Sequence, residues 1–176
     1  MDVRRLVFID ETGFNTKMTR LYGRAPRGKR CVDHVPCGHW QSSTFIAGLR
    51  HDCICAPMLF DGPMNGAMFM AYVQKVLAPT LQEKDIVICD NLSTHKVSGV
   101  KQAIESHGAS IRYLPAYSPD LNPIEMLFSK LKSFIRNQIG DSFPSLLKAT
   151  QLALLSCSTS QCSNFFRHAL YATNTT

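Results

Sequence analysis

Three carboxylates far apart in the chain, Asp10, Asp90 and Glu125, sit where they could do chemistry together. Asp10 closes the β-rich run Val-Arg-Arg-Leu-Val-Phe-Ile-Asp at 3–10, and Asp90 closes the short apolar run Ile-Val-Ile-Cys-Asp at 86–90. Glu125 falls in the first turn of a strongly amphipathic stretch. If the first and fourth strands pair in parallel, both aspartates reach one edge of a sheet, at the strand ends where ligand sites gather. Glu125 can then swing over the same edge. Three carboxylates meeting there repel one another unless a divalent cation neutralises them. Donor sets made only of oxygen favour magnesium or manganese over zinc or copper. Two such ions, about 3.5–4 Å apart, activate a water or hydroxyl and stabilise the leaving oxygen in phosphodiester chemistry. Each residue also has a plainer reading. An aspartate after a strand is often a turn former, and Glu125 could be the capping-box partner of Asn122.

The elements that must position these groups can be read from apolar spacing. Runs at 44–49 and 53–60, separated by Arg50-His51-Asp52, read as a hairpin. Asn65 can cap a helix with Phe69, Tyr72, Val73, Val76 and Leu77 on one face. After the 86–90 strand, a helix is expected over about 97–107, stopped by Gly108, then a strand at 111–114 and a Pro-rich loop at 115–123. A third helix starts there, with Asn122 as cap, Pro123 in the first turn and Glu125 at the third position. Ile124, Leu127, Phe128, Leu131, Ile135 and Ile139 line its apolar face. Two more amphipathic helices, about 144–156 and 160–171, finish the chain. Three strands in a meander, then helix–strand–helix–strand–helix, predict an α/β fold: a mixed five-stranded sheet flanked by helices.

Composition narrows the class of partner. The 176 residues carry 45% hydrophobic and 18% charged side chains, an ordinary globular balance suited to one compact domain with a terminal extension. No apolar run approaches a membrane span, and the N-terminus enters a strand pattern with no secretory signal. The net charge is +6, and its placement is uneven. Lys17, Arg20, Arg24, Arg27, Lys29 and Arg30 fall in 14 residues without one acid. With two glycines and Pro26 among them, they read as a ribbon or loop able to bind a polyanion, or as a solvated basic face. The seven cysteines are an odd number without zinc-ribbon spacing. Cys31, His34, Cys37 and His39 crowd together, but more tightly than usual zinc loops, so reduced thiols are the expectation.

Three segments carry a family likeness: Phe-Ile-Asp-Glu-Thr at 8–12, Cys-Asp-Asn-Leu-Ser-Thr-His at 89–95, and Ser-Pro-Asp-Leu-Asn-Pro-Ile-Glu at 118–125. Together they resemble the catalytic signature of DDE transposases from bacterial insertion sequences of the mariner-like superfamily. Thirty-four residues separate Asp90 from Glu125, a spacing that family uses. The resemblance implies a ribonuclease H-like fold over about 1–140, with residues 141–176 as a helical extension packed on it. It implies Asp10, Asp90 and Glu125 as catalytic residues holding two Mg2+ or Mn2+ ions, with Asn91 and His95 in support. The implied reaction is phosphodiester hydrolysis at element ends, then attack of the freed 3′ hydroxyl on target DNA, at TA in this family. Double-stranded DNA is the implied partner, and a homodimer on DNA follows from the need to pair two ends. The basic ribbon would grip DNA phosphates, with Lys130, Lys132 and Arg136 on the third helix as a second surface. The expected setting is the bacterial cytoplasm, at the nucleoid.

Two departures qualify the likeness. Longer relatives carry helix-turn-helix modules ahead of the catalytic domain, whereas here the first strand begins two residues after Met1. A separate helix-turn-helix polypeptide, or a longer or frameshifted product, is therefore expected. Where many relatives have tryptophan after the catalytic glutamate, this chain has Phe128. Two other readings remain at this point: a truncated regulatory fragment that binds DNA or intact transposase without catalysis, and another ribonuclease H-like nuclease.

Overall fold

A computed structural model describes residues 2–15, 18, 23–32, 42–136, 138 and 142–171. Its centre is a five-stranded sheet of order β3-β2-β1-β4-β5. Strands β1 (Leu6–Asn15), β2 (Ser42–Leu49) and β3 (Ile54–Asp61) form an antiparallel meander. Strands β4 (Ile86–Cys89) and β5 (Ser110–Tyr113) extend it in parallel from β1. This is the mixed sheet that the spacing predicts.

The central strands carry apolar runs, Leu6–Ile9 in β1 and Phe45–Leu49 in β2, where both faces are covered. Alternation along β1 divides them. Leu6 and Phe8 enter one core with Phe45, Ala47, Ile88, Leu127, Phe128, Leu131, Leu146 and Phe166. Val7 and Ile9 enter the other with Ile46, Phe69, Tyr72, Val87 and Ile104. The first core is roofed by α3 (Ile124–Ile135), α4 (Phe143–Leu155) and α5 (Thr159–His168). The second is roofed by α1 (Gly66–Tyr72) and α2 (Val100–Glu105). Helices α4 and α5 thus bury Leu146, Ala149, Ala153, Cys162 and Phe166 in the same cluster as the first strand.

Three local expectations are corrected. The first strand does not stop at Asp10. It begins after a 3-10 turn at Val3–Arg5 and runs to Asn15, since β2 pairs with it from Phe8↔Leu49 to Asn15↔Ser42. The helix capped by Asn65 does not hold α geometry to its end. It passes through a π segment, Val73–Leu77, into a 3-10 turn, Ala78–Thr80, because Pro79 has no N–H to continue the ladder. The helix expected over 97–107 is shortened to Val100–Glu105. Ser93–Lys96 forms a 3-10 turn, and α2 starts only after Gly99, whose φ of +95° is incompatible with a continuous helix.

One buried ion pair ties the sheet to the α1 end. Arg50, just after β2, donates from Nη2 to Asp85 Oδ2 at 2.6 Å and to the Thr80 carbonyl at 3.1 Å. Asp85 is fully buried, and its Oδ2 also accepts from Gln82 N at 2.7 Å. Removing one member strands a buried charge, which typically costs about 3–5 kcal/mol. D85A is therefore expected to lose about that much stability in urea denaturation, with a two-state transition retained.

Candidate active site

Strand β1 pairs in parallel with β4 through Phe8↔Ile88, and two residues further on stand Asp10 and Asp90. The two aspartates thus leave adjacent parallel strands at the same level. Asp10 is mid-strand, opposite Ala47 of β2, and only 8% exposed. Its Oδ1 accepts from the Glu11 backbone N–H at 2.8 Å, and its Oδ2 accepts from Asn122 Nδ2 at 2.8 Å. Asn122 is therefore not the cap that its local sequence suggests. Helix α3 begins at Ile124 with Pro123 at the cap and no side-chain capping bond, and Glu125 forms no capping box. The Asn122 side chain turns inward instead, and its Oδ1 is buried without a hydrogen-bond partner among the described residues.

Glu125 lies exposed in the first turn of α3, close enough for its charge to act on Asp10. Burial raises the Asp10 carboxyl to about 7, and the charges of Glu11, Glu125 and Asp90 add to that, against the lowering effect of the Glu11 N–H. Three carboxylates from three elements converge electrostatically on one buried group.

His95 sits below them, fully buried in the Ser93–Lys96 turn rather than on the surface. Its Nε2 is 2.9 Å from Glu11 Oε2, and its Nδ1 is 2.5 Å from Asp90 Oδ1. The Nδ1 contact is an ion-pair approach, since the ring N–H does not point straight along it. The Phe69 ring lies against the imidazole at 4.4 Å between centroids. Burial lowers the affinity of His95 for a proton, but the Glu11 hydrogen bond and the Glu11 and Asp90 charges outweigh it, and the net shift is upward. Asp90 Oδ1 also accepts from Leu92 N at 3.1 Å, so both of its contacts fall on one oxygen. Asn91 is exposed beside it.

The donor set fits a hard divalent cation. It is all oxygen, it carries excess negative charge, and Asn122 Oδ1 is an orphaned acceptor next to Asp10. Among the described residues, no three acidic, histidine or cysteine side chains lie close enough together to hold a metal ion between them. Magnesium keeps several waters and takes one or two carboxylates plus substrate phosphate oxygens.

Of the basic ribbon, Arg24, Arg27, Lys29 and Arg30 are exposed, while Lys17 and Arg20 lie outside the described residues. So do His34, Cys37 and His39; Cys31 is exposed and free. On α3, Arg136 is exposed and Lys132 half-buried. Lys130 is already engaged, donating to the Ser156 carbonyl at 3.1 Å and to Gln161 Oε1 at 2.5 Å. It fastens α3 to the α4–α5 turn, a role invisible in its spacing. Sequence reasoning assigned nothing to Glu11 and misread Asn122. Alternation along β1 was the available signal for Glu11, because it sends neighbouring side chains to opposite faces.

A mixed α/β sheet with a buried aspartate mid-strand and a half-buried one just past the adjacent parallel strand is the class of fold and site that this chain presents. The family model for DDE superfamily endonuclease matches residues 5–146, and the chain belongs to that family. Among solved structures, the chain is similar to the Mos1 strand transfer complex, at 17% identity and TM-score 0.75 over 95% of this chain and 52% of that one. It is similar to the Mos1 mariner paired end complex with Mn, at 18% identity and TM-score 0.75 over 95% and 53%. The catalytic domain of Mos1 mariner transposase matches at 18% identity and TM-score 0.67 over 96% and 76%. The shared feature is the ribonuclease H-like fold. The chain spans about half the length of the Mos1 chains in the complexes. No curated protein sequence matches it. Among the described residues, no helix is long and apolar enough to cross a membrane.

The raised Asp10 group makes a signed pH prediction. Its folded-state value near 7 exceeds the ordinary 3.8, so the folded state binds the proton more tightly. Stability therefore falls as pH rises from about 4 to 7, and the loss is complete above 7. Without divalent cations, D10N is expected to be more stable than the native chain at pH 8, by up to about 4 kcal/mol. The difference should vanish near pH 4. Urea denaturation at several pH values in chelator reads it directly.

Proposed function

We propose that this chain is the catalytic domain of a DNA transposase, cleaving and joining phosphodiesters with Asp10, Asp90 and Glu125 around two Mg2+ or Mn2+ ions. The observation that carries this reading is the parallel pairing of β1 with β4, which sets a buried Asp10 level with Asp90 while Asn122, at the entrance to the helix that bears Glu125, holds the Asp10 carboxyl. When bound, the cations supply the positive charge that activates an attacking water or hydroxyl and steadies the leaving oxygen. The protein's part is positioning, since in-line displacement at phosphorus needs a charge clamp more than a protein nucleophile. Asn122 and the Glu11 N–H fix Asp10. His95 and Leu92 N fix Asp90. Glu125 is carried on α3, whose apolar face anchors it to the sheet.

The substrate on this reading is double-stranded DNA, both element ends and target. Relatives named for strand transfer and paired-end complexes support it, as do the exposed Arg24, Arg27, Lys29 and Arg30. Lys17, Arg20, Lys132 and Arg136 belong to the same proposed contact surface, whereas Lys130 serves the α4–α5 turn. Residues 1–140 form the catalytic domain, and residues 141–176 the extension completing its core. Pairing two DNA ends calls for a homodimer on DNA, and end recognition for a helix-turn-helix module, on a longer product or a separate polypeptide.

Purified chain with Mn2+ is expected to nick or join duplex oligonucleotides bearing element ends, with the recognition module supplied. D10N, D90N and E125Q should each lower the rate roughly a thousandfold or more, since each removes several kcal/mol of charge stabilisation. A folded chain that is inactive with and without that module would favour the regulatory reading, and preference for RNA–DNA hybrid would favour another nuclease. Replacing Arg24, Arg27 and Arg30 together with alanine should flatten the slope of log affinity against log salt by about 2–3, read by fluorescence anisotropy.

A further inference from the structure

We propose that Glu11 is a positioning residue, acting through His95 to hold the Asp90 carboxylate with one oxygen presented to the divalent cation. This rests on the functional reading above, and it gives a role to the one acidic residue of the site which that reading leaves idle.

The geometry separates Glu11 from the metal-facing acids. It neighbours Asp10 in sequence, but alternation along β1 turns the two apart: Asp10 meets Asn122 at the entrance to α3, and Glu11 meets His95 beside Phe69 on the α1 face. The Glu11 carboxylate is engaged through Oε2, 2.9 Å from His95 Nε2, and its side chain is only 18% exposed. The His95 ring has little freedom. It is wholly buried, Phe69 lies against it, and its backbone carbonyl accepts from the Tyr113 hydroxyl at 3.3 Å. Its far nitrogen meets Asp90 Oδ1 at 2.5 Å, the same oxygen that Leu92 N approaches. Among the described residues, Asp90 Oδ2 is left without a hydrogen-bond partner.

A buried carboxylate–imidazole–carboxylate chain is a weak device for stability, because desolvation offsets much of the attraction. It is a strong device for orientation, since a buried ring hydrogen-bonded at Nε2, stacked on Phe69 and in ion-pair contact at Nδ1 is restrained against flipping. Outer partners of metal-binding carboxylates and imidazoles typically contribute 10–100-fold in metal affinity.

The test measures Mn2+ binding to the full chain by titration calorimetry, beside its thermal midpoint and the Mn2+ dependence of DNA nicking. E11Q keeps the shape and removes the charge. It is expected to weaken Mn2+ binding about tenfold or more and to shift half-maximal activity to correspondingly higher Mn2+, while saturating Mn2+ restores most of the rate. H95Q should do the same, and E105Q, a surface carboxylate on α2, should leave Mn2+ affinity unchanged. A folded E11Q with native Mn2+ affinity overturns the proposal. If E11Q does not fold, E11D carries the test: weakened Mn2+ binding in a folded E11D supports the proposal, and native affinity overturns it. D90N separates the two levels. Loss of Mn2+ binding in D90N with native affinity in E11Q refutes the role of Glu11 alone. Equal binding by D90N and the native chain refutes the metal reading and this inference together.

Discussion

An ionisable carboxyl inside the sheet, surrounded by others of its own sign, is the constraint on which this molecule is organised. Asp10 is 8% exposed and stands in the field of Glu11, Asp90 and Glu125. Burial raises the proton affinity of such a group, and its neighbours push the same way. The fold supplies two hydrogen-bond donors, Glu11 N and Asn122 Nδ2, which orient the carboxyl without offsetting the effect of its burial. The parallel pairing of β1 with β4 generates the rest, because it brings Asp90 level with Asp10.

The strand period of two distributes the labour. Every second residue of β1 faces the α3–α5 core and the others face the α1–α2 core, so adjacent acidic residues are delivered to different layers. Asp10 is tied to the start of α3, where Glu125 begins its helix. Glu11 is tied to the turn after β4, which carries Asp90 at its root. Each sheet face thus controls one of the aspartates. A one-residue slip in the pairing of β1 would exchange the two layers and dismantle both arrangements.

The parts legible in the sequence were those governed by local periodicity. The five strands and the apolar stripe of α3 follow from spacing that a single element imposes, whereas the three acids are singled out by the segments that carry the family likeness. The parts that were not legible depend on partners remote in the chain. Asn122 has the local chemistry of a helix cap, and only the approach of Asp10, 112 positions away, gives it other work. His95 is named in support by the family likeness, but its contacts depend on the 3-10 turn and Phe69 that enclose it. Asp10 closes the β-rich run at 3–10 and so reads as a strand end, whereas pairing with β2 carries the strand through it. Lys130 could not be told from a free cation until the α4–α5 turn closed over its ammonium.

The remaining question is where the compensating positive charge comes from. His95 is committed between Glu11 and Asp90. Lys96 lies over the Tyr113 ring, 5.4 Å from its centre, and Lys130 is fastened to the α4–α5 turn. Among the described residues, the ion pairs are Arg4–Asp2, Arg50–Asp85, His51–Asp52, Lys101–Glu105 and the two made by His95, and none includes Asp10 or Glu125. A phosphodiester arriving at this edge would add negative charge to a place already overloaded with it. Basic side chains beside the carboxylates would cancel the charge but would also fill the coordination space. Small hard cations cancel it while leaving positions open for phosphate oxygens. Among the described residues, no protein cation pairs with Asp10 or Glu125, an arrangement that leaves coordination space for the proposed chemistry.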